Sequence, residues 1–251
     1  MTTSLQDWFQ TPPGRYVLDW ERTRFDAALA DVFGYHALQV GLPAIDALAA
    51  NRMPHRWLAL AVPPLAADAP FARERPVLAA DSTALPFAEA SLDLVALPHT
   101  LELSSDPHAT LREVQRVLVP EGRVAITGLN PTSLWGLRQA RPFLPAGGDF
   151  IGHRRLRDWL RLLQLDLESI SFGCYRPAAR SERALARFHW MDRLGARWWP
   201  IFGAAYFAVA VKRVRGARLI GAGWRTAPVV AAAPASVANR APSEKTRIEP
   251  N

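Results

Sequence analysis

Residues 76–130 constrain the fold of this chain more than any other stretch. Three apolar runs lie in it, at residues 77–80, 92–97 and 124–127, and they end at Asp81, Pro98-His99 and Gly128. Between the last two runs, Asp106-Pro107 supplies a helix cap and a proline suited to the first helical position. Leu111, Val114, Val117 and Leu118 then recur at helical spacing, and Pro120-Glu121-Gly122 turns the chain. The order is strand, strand, helix, strand. The run at 92–97 is almost wholly apolar, which predicts a parallel strand covered on both faces. Open α/β sheets bind ligands beyond the carboxyl ends of such strands, where Asp81 and His99 stand.

The alternation extends in both directions. Residues 15–32 put Val17, Trp20, Ala27 and Ala28 on one helical face and Leu18, Phe25 and Leu29 in a second apolar row, with Gly34 as a stop. Residues 1–36 are read as an N-terminal helical cap. Residues 37–41 are the first strand, and Pro43 opens an expected helix with Ile45, Leu48 and Ala49 on its apolar face up to Asn51. Residues 57–62 are the second strand. Beyond a loop-rich stretch at 129–152 come a helix at 154–163, a strand at 169–174, a helix at 181–194 and a last strand at 204–211. This pattern over residues 37–214 predicts one α/β domain with a doubly wound, mainly parallel sheet, one of the last two strands running antiparallel at the edge. Residues 215–251, rich in Ala, Pro, Arg and Ser, have no usable periodicity and are read as a disordered basic tail.

Charge separates these parts. The chain has 251 residues and carries 30 Lys and Arg against 23 Asp and Glu, a formal +7. Eight of the bases and two of the acids lie beyond residue 211, so that stretch holds +6 and residues 1–211 hold +1. A general nucleic-acid surface on the folded part is not supported. The tail is either a solubilising extension or a contact for nucleic acid or anionic lipid. The single cysteine, Cys174, rules out an intrachain disulfide and fits a cytoplasmic protein. Residues 1–14 lack the basic start and apolar run of a signal peptide. The longest apolar run, residues 198–211, contains Pro200 and Gly203 and is too short to span a bilayer. His108, His153 and His189 lack metal-ligand spacing with any acid or with Cys174, so no metal site is expected.

Taken in order, Asp81, Leu85-Pro86-Phe87, Ser91-Leu92-Asp93-Leu94-Val95, His99, Leu101-Glu102, Leu111-Arg112-Glu113, Arg116-Val117-Leu118, Pro120 and Gly122-Arg123 form one set. That set resembles the class I S-adenosylmethionine-dependent methyltransferases, in the branch called methyltransferase type 11. No single piece is specific; the ordered set is. Within the branch, His99-Thr100-Leu101 and Gly128-Leu129-Asn130-Pro131-Thr132-Ser133 are most similar to a proteobacterial group with no assigned substrate. The resemblance implies a Rossmann-like fold, S-adenosyl-L-methionine as methyl donor and a small-molecule acceptor. It implies that Gly41 and Leu42 lie in the donor loop after strand one. It also implies that Asp81 takes the adenine amino group with Ser82 beside it, and that Leu97, Pro98 and His99 flank the methionine and sulfonium. His99 is the candidate catalytic base.

The chain departs from the family upstream. The usual loop is acid–x–Gly–x–Gly–x–Gly, whereas Gln39-Val40-Gly41-Leu42-Pro43-Ala44-Ile45 keeps one glycine of the three. The acid that ends strand two has no counterpart; Ala61 falls nearest, and Asp46 is a substitute from the following segment. Two functions are therefore carried forward: an active methyltransferase, and a binding or regulatory module that kept the fold without its donor site. Single residues also keep two or more readings. Asp81 is an adenine ligand or a solvated acid at a strand end. His99 is a cofactor contact, a base or a structural histidine. Glu102 is a helix-start charge or a loop anchor. Trp198, Trp199 and Phe202 line an acceptor pocket or pack under the last strand.

Overall fold

The computed structural model describes residues 5–61, 75–136, 150–179 and 181–213. The expected tail at 215–251 and much of the connection after strand two lie outside them. Seven strands form one sheet: β1 (His36–Val40), β2 (His55–Leu60), β3 (Val77–Ala79), β4 (Leu92–Pro98), β5 (Leu118–Leu129), β6 (Leu165–Gly173) and β7 (Ala205–Lys212). Their order across the sheet is β3-β2-β1-β4-β5-β7-β6. The first five strands pair in parallel, and the order reverses between β1 and β4, the switch point at which such sheets take ligands.

One expectation about the sheet is corrected. The antiparallel strand is β7, and it lies inside the sheet, paired with β5 on one side and β6 on the other. All eight of its residues are buried. Its run of Ala, Tyr, Phe and Val is apolar on both faces, which suits an interior strand and not an edge.

Because successive strand residues point to opposite faces, the sheet separates two cores. Leu94, Ala96, Ala125, Phe207 and Val209 face α2 (Pro12–Leu29) through Val17, Phe25 and Leu29. Val95, Leu97, Val124, Ile126 and Tyr206 face α4 (Pro107–Val117) and α5 (His153–Leu162) through Leu111, Val114, Leu156 and Leu160. A short α1 (Leu5–Trp8) leads into α2, and α3 (Thr100–Leu103) follows β4.

The helix ends differ from the periodicity in three places. Helix α2 starts at Pro12, because Thr11 caps it by accepting the Gly14 N–H at 3.3 Å while the two prolines need no partner at the first positions. The helix expected over 43–51 does not form: β1 reaches β2 by a loop whose Ile45, Ala47, Leu48 and Met53 are buried in the α2-side core. The helix expected over 181–194 is two, α6 (Glu182–Arg187), capped by the Ser181 hydroxyl, and α7 (Trp190–Trp198).

A polar latch holds the connection between β3 and β4. The Leu85 N–H donates to Glu113 Oε1 at 2.9 Å, and Arg116 Nη2 donates to the Phe87 carbonyl at 2.8 Å and to that of Leu85 at 3.3 Å. Arg116 also donates to Glu113. The Arg116 guanidinium is the main reason the Glu113 carboxyl titrates below its ordinary range. Removing the arginine should cost about 1–2 kcal/mol of stability, given its partial exposure. In urea unfolding, Arg116→Ala should show that deficit at neutral pH. The deficit should narrow as pH falls through the depressed Glu113 value, because the protonated carboxyl no longer favours the pair, and the part owed to the Leu85 and Phe87 carbonyls should remain.

Candidate functional site

The carboxyl ends of β1 to β4 bring together most of the residues marked in the sequence. At the end of β1, Gly41 has φ +78°, and a Cβ there would lie 3.2 Å from Thr100 Oγ1. Glycine is favoured both by the left-handed backbone and by this close approach to α3. Leu42 follows at φ +30° with its side chain buried. The loop is held from inside by Gln39. Its Nε2 donates to the carbonyls of Leu42 at 3.1 Å and Ile45 at 2.8 Å, and its Oε1 accepts the Ala47 N–H at 3.0 Å. A carboxylate could accept from Ala47 but could not donate to those two carbonyls. The substitution of Gln39 for the family's acid and the loss of two glycines thus belong to one local structure.

Asp46 does not stand in for the missing strand-two acid. Its carboxylate forms an ion pair with Arg75, with Arg75 Nη2 donating to Oδ2 at 2.7 Å. Its Oδ1 accepts the Leu48 N–H at 3.1 Å. Ala61, beyond β2, is exposed and offers no polar side chain.

At the end of β3, Asp81 is exposed. Its Oδ1 accepts the backbone and side-chain bonds of Thr83, both at 2.9 Å, and these two bonds hold its carboxyl below the ordinary range. Beside it, the Ser82 hydroxyl lies 3.0 Å from that of Thr110, which is 2.8 Å from that of Ser104. These contacts tie the β3 end to the start of α4.

Leu97, Pro98 and His99 end β4 as buried residues. His99 sits at φ +52° with a fully buried ring. Nε2 is 2.7 Å from Glu21 Oε1 of α2, and Nδ1 is 2.6 Å from Glu102 Oε2 of α3. Glu102 Oε1 also accepts the Leu129 N–H at 2.6 Å, and the Phe9 ring meets the imidazole edge-on at 5.3 Å. Burial alone would lower the His99 pKa, but the Glu21 and Glu102 carboxylates outweigh it and raise it to about 10. Burial pushes the Glu102 carboxyl upward, against the pull of His99 and of the Leu129 N–H. His99 is therefore an imidazolium at neutral pH, with both nitrogens engaged and no face open to an acceptor. In this arrangement it binds α2 and α3 to the end of β4 and has no free lone pair for proton abstraction.

Glu21 was missed in the sequence although its position carried a signal. It lies four residues from both Val17 and Phe25, on the buried face of α2. A charged residue on a helix's apolar face needs a partner inside the protein. Trp198, Trp199 and Phe202 are exposed, which removes the reading that they pack under the last strand. Among the described residues, no group of three or more His, Cys, Asp or Glu side chains is arranged to hold a metal ion.

Residues 58–126 match a family model described as "Methyltransferase domain". Over 92 residues the chain is 42% identical to the uncharacterized protein YafS of Escherichia coli K12, a match covering 35% of this chain and 38% of that protein. Over 107 residues it is 33% identical to a ubiquinone biosynthesis O-methyltransferase of Xanthomonas oryzae, covering 39% and 45% of the two. The matches thus span less than half the length of these relatives. Among solved structures, the chain superposes with TM-score 0.60 and 17% identity on the Haloferax volcanii complex of the Trm112 methyltransferase activator and a methyltransferase. That superposition covers 84% of this chain and 98% of the other.

Replacing the buried cation should expose what it holds. His99→Asn keeps a residue that tolerates a left-handed backbone and leaves two buried carboxylates without their counter-charge. About 3–5 kcal/mol of stability should be lost at pH 7. The His99 contribution is complete below its ordinary value of 6.5 and is lost as pH rises toward about 10. The deficit should therefore shrink in alkali, as wild-type His99 loses its proton, and in acid, as Glu102, whose carboxyl burial pushes upward, gains one. A pH-independent deficit in urea unfolding would refute the charged assignment.

Proposed function

Starting from a chain whose residues 58–126 carry a methyltransferase domain, on the sheet of the class I S-adenosylmethionine-dependent methyltransferases, we propose that this protein transfers a methyl group from S-adenosylmethionine to a small-molecule acceptor. The observation that carries the proposal is the state of Asp81: exposed, kept ionised by Thr83, and fixed at the β3 end of a latched loop.

The residues present fit the adenosyl half of the donor. The Asp81 carboxylate would accept a hydrogen bond from the adenine amino group, with Ser82 on the same edge. The backbone at half-buried Gly41 and at Leu42 would pass against the donor, and the chain at Leu97 and Pro98, whose side chains are buried, would bound it through its backbone. The donor, once bound, supplies a methyl group already electrophilic on a sulfonium. What remains for the chain is to hold that group in line with the acceptor's nucleophile and to exclude water. His99 is a positioning residue in this scheme: clamped by Glu21 and Glu102, it fixes the turn after β4 against α2. The ribose has no acid at the end of β2, so binding rests on the adenine end more than in the family pattern. The names of the methyltransferase relatives support this reading, as does the domain match. The lone buried Cys174 is consistent with a cytoplasmic setting.

A second reading has its own observation. Gln39 occupies the inner side of the 41–47 loop with three strong contacts, and Ile45 fills the core where the family has glycine. A module that kept the fold and discarded the donor would look the same there. Calorimetric titration with S-adenosylmethionine and with its demethylated product distinguishes the two. Binding is expected, weakened about tenfold to a hundredfold in Asp81→Ala, as for loss of a charge-assisted hydrogen bond. No heat at millimolar ligand would favour the module. Binding that Asp81→Ala leaves unchanged would remove Asp81 from the site.

A further inference from the structure

Helix α7 and the turn after it, Pro200–Phe202, present an apolar face that no described part of the protein covers. Trp190, Leu194 and Trp198 recur every four residues and form one row, with relative exposures of 48%, 40% and 70%. Ile201 and Phe202 continue it at 45% and 48%. Arg193 and Arg197 form the adjoining row, also exposed.

The helix is not loose. A Cβ on Gly195 would lie 2.3 Å from the Tyr175 ring, so the backbone rests directly on that ring. Asp192 accepts from the Tyr16 hydroxyl, from the Tyr175 N–H at 3.2 Å and from Arg176 Nε at 2.8 Å. Asn130, just past β5, donates to the carbonyls of Ile201 at 2.7 Å and Gly203 at 2.9 Å. The face is thus built rigidly onto the carboxyl end of the parallel strands, the end proposed above to hold the donor.

We propose that this face docks the protein onto a bilayer surface containing anionic phospholipid. The side chains have the division of labour that such a surface selects. Tryptophan rings are half apolar and half polar and settle at the headgroup level. Arginines beside them lay their stems on apolar surface and put their guanidinium groups on phosphate. An amphipathic helix of this kind lies on the membrane without crossing it, and no helix among the described residues is long and apolar enough to cross.

Charge selects this occupant over a second copy of the chain. Arg183, Arg187, Arg193 and Arg197 are exposed and form no ion pair among the described residues. The two acids of the same stretch are taken: Glu182 by Arg15 at 3.1 Å, and Asp192 by its inward partners. Two such faces meeting about a twofold axis would set arginine against arginine, which self-association disfavours. An anionic surface meets the same charges favourably. The +6 held beyond residue 211 adds to the attraction toward it.

The test is co-sedimentation of the full-length chain with vesicles of phosphatidylcholine, with and without phosphatidylglycerol, over a range of salt. The chain should sediment with the phosphatidylglycerol vesicles, release as salt rises, and show a blue shift of tryptophan emission on binding. Trp190→Ala with Trp198→Ala should lower partitioning by roughly tenfold or more. Arg193→Glu with Arg197→Glu should abolish the preference for phosphatidylglycerol. Both pairs alter exposed side chains, and circular dichroism checks that each variant is folded. Absence of vesicle binding overturns the proposal, as does equal binding by wild type and both double variants. So does a wild-type dimer in light scattering that the tryptophan variant dissociates while vesicle binding stays the same.

Discussion

An imidazolium held between two buried carboxylates ties the N-terminal helix to the working end of the sheet. His99 lies where the chain leaves β4, Glu102 one turn later, and Glu21 reaches in from α2, 78 residues upstream. Three ionisable groups without access to water are costly, and one cation offsets only one of two carboxylates, in keeping with the upward push of burial on the Glu102 carboxyl. Here the geometry leaves each ring nitrogen one oxygen, and Glu102 has a second partner in the Leu129 N–H. The cluster therefore fixes the order of assembly at this corner. That order is a single joint step: neither α2 with Glu21 nor the turn after β4 is electrically acceptable without the other, so the two are seated together. An apolar triad would pack as well, but it would not specify which turn of α2 meets which residue of β4.

The sheet and the downstream motif that borders the candidate site were legible because their signals are local. An apolar run such as residues 92–97 is readable without its neighbours, and so is Asp106-Pro107 at a helix start. The run in β7, apolar on both faces, marks an interior strand, whereas the order of elements leaves open which of the last two strands runs antiparallel and puts that one at the edge. What was not legible depends on long-range partners. Nothing near residue 99 announces Glu21, and nothing near Asp46 announces Arg75. Residues 43–51 carry a helix's start and an apolar pattern, yet the Gln39 side chain offers their carbonyls and the Ala47 N–H better partners than a helix would. Local propensity lost there to a tertiary hydrogen-bond set.

The latch between the β3–β4 connection and α4 gives the family's ordered motif a physical meaning. Leu85-Pro86-Phe87 and Glu113-Arg116 are separated in sequence and read as unrelated matches. In three dimensions they are one unit, in which a carboxylate takes a backbone N–H and a guanidinium takes two carbonyls. The unit begins four residues after Asp81, whose carboxylate is held by Thr83. The upstream loop is held by the neutral amide of Gln39 on its inner side and by the Asp46–Arg75 ion pair beyond it.

The interior position of β7 has a consequence for how the chain is made. Strands β1 to β5 can pair as they emerge during synthesis, but β5 then shows an open edge, and β6 is completed with no partner beside it. Both wait for residues 205–212, and only that last strand joins them. For the time it takes to synthesise some forty residues after β6, roughly two to eight seconds at ordinary rates of elongation, the nascent domain carries two unpaired strand edges of the kind that attract other chains. Closing the sheet is thus a late and single event. A ribosome that stalls before Lys212 leaves a sticky intermediate in place of a slightly shortened protein.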